Sequence, residues 1–63
     1  MKNNVKKFRK EIGLSQKELA QRVKITRPYL SNIENELYDP GIEIALKLSQ
    51  ELKKPVESIF IEK

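Results

Sequence analysis

The sequence contains neither cysteine nor histidine among its 63 residues. Disulfides and the usual zinc sites are therefore excluded, and the chain gives no indication of its redox compartment. No apolar run is long enough to cross a bilayer. Met1 leads directly into Lys2, Asn3 and Asn4, so no signal region is expected. These absences favour a small intracellular protein.

The residues that most enzymes need are also scarce. There is no histidine base, no cysteine nucleophile and no glycine-rich phosphate loop, and Asp39 is the only aspartate. The glutamates are scattered along the chain, whereas a nuclease needs clustered acids to hold metal ions. We therefore expect no catalytic activity, no cofactor, no metal and no small-molecule substrate.

Basic residues are concentrated in the first part of a chain whose net charge is +4. Residues 1–27 hold nine basic and two acidic residues, whereas residues 28–63 hold four basic and seven acidic ones. A small domain with this polarity suits an anionic polymer on one face. Charge alone leaves a second interpretation open, which is an ordinary lysine-rich soluble surface.

Apolar residues recur at helical spacing in five segments, and no segment shows a convincing strand pattern. The fold class is therefore predicted to be all-α, with residues 1–63 forming one domain. Ile61 to Lys63 are left as a tail or as a strand at an interface. The side chains expected to face the core are Val5, Phe8, Ile12, Leu19, Ala20, Val23, Leu30, Ile33, Ile42, Ala45, Leu48, Leu52, Val56, Ile59 and Phe60.

Two helix starts can be located closely in the middle of the chain. Ser15 and Glu18 have the spacing of a capping box. Thr26 is a second N-cap, and Pro28 is tolerated only in the first turn of the helix that follows. Two short helices joined by three residues, within about residues 16–35, match a helix-turn-helix. An ordinary helical hairpin in a small bundle has the same spacing.

Several sequence motifs that occur in a fixed order favour the helix-turn-helix over the ordinary helical hairpin. LSQKELA at residues 14–20, ITRPYLSNIEN at 25–35, YDP at 38–40 and LKKPVESIF at 52–60 resemble the lambda repressor and Cro family, also called the xenobiotic-response-element family. The resemblance covers nearly the whole chain. It implies a compact five-helix lambda-repressor-like domain that binds double-stranded DNA in a sequence-specific way and regulates transcription.

By position, the resemblance also implies the roles of individual residues. Arg27 would pair with a guanine and Asn32 with an adenine, although a phosphate contact stays open for Arg27. The residues expected to contact bases are Arg27, Pro28, Tyr29 and Asn32. Those expected to contact the DNA backbone are Gln16, Lys17, Thr26, Ser31, Asn35 and Tyr38.

Other positions concern the scaffold rather than the DNA. Arg9 and Glu34 match a family ion pair that orients the third helix. The chain departs from the family at Lys24 and Glu36, where glycine is common, and at Gly41, which replaces a polar helix cap. The acid at Glu36 lies close to the expected DNA face, which puts the contacts after Asn35 in doubt.

We expect a cytoplasmic, nucleoid-associated repressor of prokaryotic, phage or plasmid type that binds a palindromic operator as a homodimer. Ile59, Phe60 and Ile61 are the candidates for the dimer interface, unless they close the core of a monomer. One alternative is an antitoxin or other protein-interaction module that also binds DNA. Another is membrane-surface binding through Lys6, Lys7 and Lys10, but the apolar stripe of that helix is needed for the core.

Overall fold

A computed structural model describes residues 2–61. Within that range the chain forms five helices between two very short strands. In chain order the elements are β1 (Lys2–Asn3), α1 (Val5–Glu11), α2 (Gln16–Val23), α3 (Arg27–Glu34), α4 (Ile42–Leu52), α5 (Val56–Ile59) and β2 (Phe60–Ile61).

The sequence predicts no convincing strand and leaves one open only for residues 61–63, whereas the structure has two short strands. They pair antiparallel, with Lys2 opposite Ile61 and Asn3 opposite Phe60. The Asn4 amide also donates to the Ile59 carbonyl over 2.7 Å. Two residues are too few to show a period of two, and the pairing joins opposite ends of the sequence. The predicted tail also includes Glu62 and Lys63, which lie outside the described residues.

The core lies between the five helices, each of which contributes at least one buried side chain to it. Its largest fully buried side chains are Leu19, Leu30, Ile33, Leu48, Leu52, Ile59, Val5 and Val23. Two predicted core residues are exposed instead, Ile12 by 47% and Ile42 by 72%. Ile12 follows the last residue of α1 and Ile42 is the first residue of α4. Ile44 packs against the core in place of Ile42.

Local hydrogen bonds account for the starts of α2 and α3. The Ser15 hydroxyl accepts from the Glu18 amide over 3.0 Å, and the Glu18 carboxylate accepts from the Ser15 amide over 2.9 Å. The Thr26 hydroxyl accepts from the Tyr29 amide over 3.2 Å. Pro28 is the second residue of α3, where no helical hydrogen bond is lost. Both predicted helix starts are confirmed.

Left-handed backbone appears at the two positions where the family commonly has glycine. Lys24 has φ 62° and Glu36 has φ 65°. Lys24 ends α2, and the next amide, of Ile25, donates to the Ala20 carbonyl over 3.0 Å. The turn that leads into α3 is therefore closed despite the side chain on Lys24. Such a conformation costs a residue with a Cβ roughly 1–2 kcal/mol.

Candidate nucleic-acid interface

Helix α3 presents a polar face on the side opposite its buried residues. Leu30 and Ile33 point into the core. At 3.6 residues per turn, positions 27, 28, 31, 32 and 35 fall on the other side of the helix. Arg27, Pro28 and Asn35 are exposed, whereas Ser31 and Asn32 are half-buried. The predicted base-contacting residues Arg27, Pro28 and Asn32 thus share one outward face.

Tyr29 lies on the edge of this face. Its ring packs against the core, and its centroid is 6.0 Å from that of Tyr38. Tyr29 is one of the predicted base contacts, and it is half-buried rather than fully exposed. The two rings brace the segment after α3 against the helix itself. A residue expected to contact bases and one expected to contact the backbone are therefore neighbours.

The start of α2 adjoins the start of α3. Gln16, Arg27, Pro28 and Ser31 line one shallow depression. The amino end of a helix carries partial positive charge and unpaired amides, which suit an anion such as a phosphate. Lys17 is exposed next to it in the first turn of α2. The structure thus brings together predicted residues from both helices of the helix-turn-helix.

The capping box at this helix end also affects an ionisable group. The Ser15 amide, followed by the Ser15 hydroxyl, lowers the pKa of the Glu18 carboxyl below its ordinary value of 4.5. Arg22 contributes in the same direction, whereas desolvation opposes the shift. The ionised carboxylate is the form that accepts the hydrogen bond best. Glu18 therefore stabilises the start of α2 as an anion.

A buried ion pair ties α1 to α3. Arg9 Nε donates to Glu34 Oε2 over 2.8 Å, and Arg9 Nη2 donates to Glu34 Oε1 over 3.2 Å. Arg9 Nη1 donates to the Leu14 carbonyl over 2.9 Å, and Gln16 Nε2 donates to Glu34 Oε1 over 3.0 Å. The network fixes Gln16, so its amide nitrogen is directed inward while its carbonyl oxygen has no partner within this network.

A cationic cleft extends the surface from the helix starts across α1. Among the described residues, those that line it are Lys6, Arg9, Lys10, Ser15, Gln16, Lys17 and Arg27, with no acid among them. The charge of Arg9 is balanced by Glu34, so the excess positive charge comes from Lys6, Lys10, Lys17 and Arg27. Lys6 and Lys10 were not predicted as DNA contacts. Their spacing of four residues places them on one side of α1. The sequence contained that signal, but only the packing of α1 beside α2 shows that it joins the site.

The remaining predicted backbone contacts are partly used within the fold. Thr26 is exposed and its hydroxyl caps α3. The side-chain amide of Asn35 donates to the Ser31 hydroxyl over 3.4 Å. Tyr38 is exposed beside Tyr29. All three lie close to α3 in the chain, and none is enclosed by the core.

The predicted dimer residues divide between the core and the surface. Ile59 is fully buried in the core of its own chain, so it offers no surface to a second copy, and that part of the prediction is corrected. Phe60 is half-buried and packs against the same core. Ile61 is exposed in β2. Of the three residues, only Ile61 has a largely open side chain.

None of the helices in residues 2–61 has the length and apolarity that a bilayer crossing requires. The apolar stripe of α1 is likewise directed inward, since Val5 and Phe8 are buried. The lysines of that helix lie around this stripe rather than beside an open apolar face.

Comparison with known proteins gives the family. A helix-turn-helix family model matches residues 5–59. An HTH-type transcriptional regulator of Methanothermobacter thermautotrophicus is 37% identical over 62 residues, which cover 97% of this chain and 90% of the relative. The N-terminal DNA-binding domain of SinR from Bacillus subtilis matches with a TM-score of 0.82 and 38% identity, covering 94% of this chain and 87% of that one.

A structure of SinR in complex with DNA also matches, with a TM-score of 0.79 and 38% identity over 86% of this chain and 87% of that chain. The family model spans all five helices described above, from Val5 to Ile59. The lambda-repressor-like fold predicted from the motifs is therefore confirmed, and the chain belongs to the Cro/C1-type helix-turn-helix family of transcriptional regulators.

Proposed function

We propose that this protein is a repressor that binds a palindromic operator in double-stranded DNA as a homodimer, with residues 1–63 acting as one DNA-binding domain. The observation that carries the proposal is the continuity of two surfaces. The outward face of α3 adjoins the cationic cleft, with Arg27 lining both the cleft and the depression beside Gln16. A protein that reads bases in a DNA groove needs such an arrangement. Its base contacts determine which sequence it binds, and its phosphate contacts fix its position and orientation on the duplex.

Within this proposal α3 enters the major groove. Arg27 reads a guanine through its guanidinium fork and Asn32 reads an adenine through its amide. Pro28 offers only an apolar contact, which suits a thymine methyl group. Tyr29 reaches DNA through its hydroxyl end, since its ring is partly covered by the core and lies beside Tyr38.

Phosphate contacts would surround the inserted helix. Gln16 and Lys17 bind the backbone at the start of α2, and Thr26, Ser31, Asn35 and Tyr38 bind it around α3. Lys6 and Lys10 extend the same contact across α1, because they line the cleft that contains Lys17 and Arg27. This spread of cations would supply most of the affinity that does not depend on sequence.

Two copies related by a two-fold axis would place their α3 helices in successive major grooves, about 34–36 Å apart. Repression would follow from blocking polymerase at the operator. Relatives in Methanothermobacter thermautotrophicus and Bacillus subtilis support action in a prokaryotic cytoplasm. The protein would act there at the nucleoid or on a phage or plasmid genome.

Selection of bound duplexes from a random pool tests this function. The full chain is expected to enrich two inverted half-sites whose centres are one helical turn apart. Enrichment of a single half-site would contradict the dimer but keep sequence-specific binding. A pool that shows no preferred sequence, while binding remains measurable, would contradict base reading by α3.

A further inference from the structure

Helix α4 carries an apolar pair on its outer side. Ile42 is 72% exposed and Leu46 is 50% exposed. They are four positions apart, so their side chains are neighbours on the helix surface. Ala45, Leu48 and Leu52 of the same helix are buried. Ile42 and Leu46, which we call the α4 patch, therefore do not belong to the core of this chain.

Charges of opposite sign flank the α4 patch. Glu43 lies next to Ile42 and Lys47 lies next to Leu46, with 3.9 Å between Lys47 Nζ and Glu43 Oε1. The acid is nearer the start of the helix and the base is one turn later. If the same helix is placed alongside in the opposite direction, the acid of each copy meets the base of the other. The face is thus complementary to itself.

We propose that the α4 patch is the surface through which two copies of this chain pair, with their α4 helices antiparallel about a two-fold axis near the middle of residues 42–47. Ile42 and Leu46 of each copy pack on those of the other, and Glu43 faces Lys47 across the axis. The biological role of this pairing rests on the proposed operator-binding function, but the pairing itself requires no DNA.

Three observations favour a second copy over other occupants. Glu43 and Lys47 border the patch together, so it carries no net positive charge that would attract DNA or an anionic membrane. A two-fold interface between identical chains uses the same surface on both copies and so requires a surface that is complementary to itself. Binding of an unrelated protein has no such requirement. The burial of Ile59 also removes one of the three terminal residues that could have formed the interface.

The size of the patch determines the kind of dimer. Helix α4 has 11 residues and is about 16 Å long at 1.5 Å per residue. One face of such a helix falls short of the roughly 800 Å² that each partner buries in a stable complex. The free dimer is therefore reversible, and an operator with two half-sites strengthens it by holding both copies together.

Sedimentation of the full chain over a range of concentrations, without DNA, tests the surface. The wild type is expected to associate reversibly, and Ile42→Ser/Leu46→Ser is expected to weaken association by about tenfold or more. Ile12→Ser is the control, because Ile12, directly after α1, is 47% exposed, close to the 50% of Leu46. It should leave association unchanged, and circular dichroism should show all variants folded.

Charge variants test the antiparallel pairing independently of apolar area. Glu43→Lys has two bases on the face and Lys47→Glu has two acids, so each variant should repel its own copy. A mixture of the two places Lys opposite Glu on both sides of the axis and should form a heterodimer. In the mixture, positions 43 and 47 within each helix still carry like charges. Recovered association therefore cannot result from a more stable helix and must come from contacts between the two chains.

Each result decides one point. A wild type that stays monomeric at high concentration overturns the proposal, whether or not random-pool selection still returns a DNA site. A dimer that survives Ile42→Ser/Leu46→Ser places the interface elsewhere. Failure of the two charge variants to combine, with association of the wild type intact, overturns the antiparallel arrangement. Failure of DNA selection alone would contradict the proposed function and leave the dimer standing.

Discussion

Arg9 and Glu34 form a two-point ion pair in the interior, with 2.8 Å from Nε to Oε2 and 3.2 Å from Nη2 to Oε1. Both side chains are almost completely covered. The pair joins α1 to the last residue of α3, and Gln16 is attached to the same carboxylate. The orientation of α3 relative to the cationic cleft therefore depends on a buried contact at the last residue of that helix, at the other end from Arg27.

Replacing Glu34 by glutamine removes the charge but retains the shape. Arg9 would then remain buried without a counter-charge. We expect Glu34→Gln to lower the free energy of unfolding by about 3 kcal/mol, the scale found when one member of a buried pair is removed. Urea unfolding followed by circular dichroism measures the loss.

The double variant Arg9→Met/Glu34→Leu serves as the control, because it leaves no charge behind. It should recover most of the stability lost in Glu34→Gln, although Gln16 then lacks its acceptor. A loss of less than about 1 kcal/mol in Glu34→Gln would show that the pair behaves like an exposed one, contrary to its burial.

The left-handed turn at Lys24 yields a second stability prediction. Lys24 has φ 62°, a conformation that glycine adopts without a steric cost. Lys24→Gly should raise the free energy of unfolding by about 1 kcal/mol. Lys24→Ala is the matched comparison, because it removes the same charge and keeps the Cβ atom. It should give no gain, and equal effects of both variants would attribute the change to charge rather than to backbone strain.

Local signals in the sequence were sufficient for the helix-turn-helix itself. The Ser15 capping box and the Thr26 cap each depend on residues three positions apart, so their chemistry is visible in the chain. The predictions that were wrong concern residues whose place in the fold depends on contacts with distant segments of the chain. Ile42 has the right spacing for α4 but lies at its first turn, outside the core, and β1 pairs with a strand from the other end of the chain.

Only part of the candidate site could be predicted, because the rest of it also depends on how distant segments pack. Arg27, Pro28 and Asn32 follow from the position of the α3 start and from the family motif. Lys6 and Lys10 belong to another helix, and only the packing of α1 against the start of α2 makes them part of the same cleft. The half-burial of Tyr29 likewise depends on Tyr38, which follows α3.

The lowered pKa of Glu18 predicts how acid affects the start of α2. Its folded pKa is below 4.5 because the Ser15 amide and hydroxyl bind the carboxylate. The stabilisation is therefore complete above the unfolded value and is lost as the pH falls through the folded value. Thermal unfolding between about pH 6 and pH 3 should show a smaller decline for Glu18→Gln than for the wild type. Parallel declines would mean that Glu18 does not titrate differently in the two states.

The lysines of α1 can be tested through the salt dependence of DNA binding. If both contact phosphates, Lys6→Gln/Lys10→Gln should reduce the slope of log affinity against log salt by about 2, since each phosphate contact contributes about 0.9. Lys53→Gln is the control, because Lys53 is an exposed lysine outside this cleft. Because Lys53→Gln removes one charge and the double variant removes two, a slope change half as large in Lys53→Gln would assign the effect to net charge alone.

Arg27 and Lys17 line the same cleft, yet the proposal gives them different tasks. Arg27→Ala should weaken binding to the selected operator by about 1–3 kcal/mol and relax the preference at one base position. Lys17→Ala should weaken binding to operator and random duplexes alike and flatten the salt dependence. Titration of both duplexes at several salt concentrations separates these outcomes.

The comparison is informative because both substitutions remove one positive charge from exposed side chains at the start of a helix. A difference between them must therefore come from what each side chain contacts on the DNA. If Arg27→Ala weakens random and operator duplexes equally, Arg27 binds a phosphate and carries no sequence information. Base reading by α3 would then depend on Asn32 and the apolar surface of Pro28, and Asn32→Ala would be expected to weaken the preference that remains.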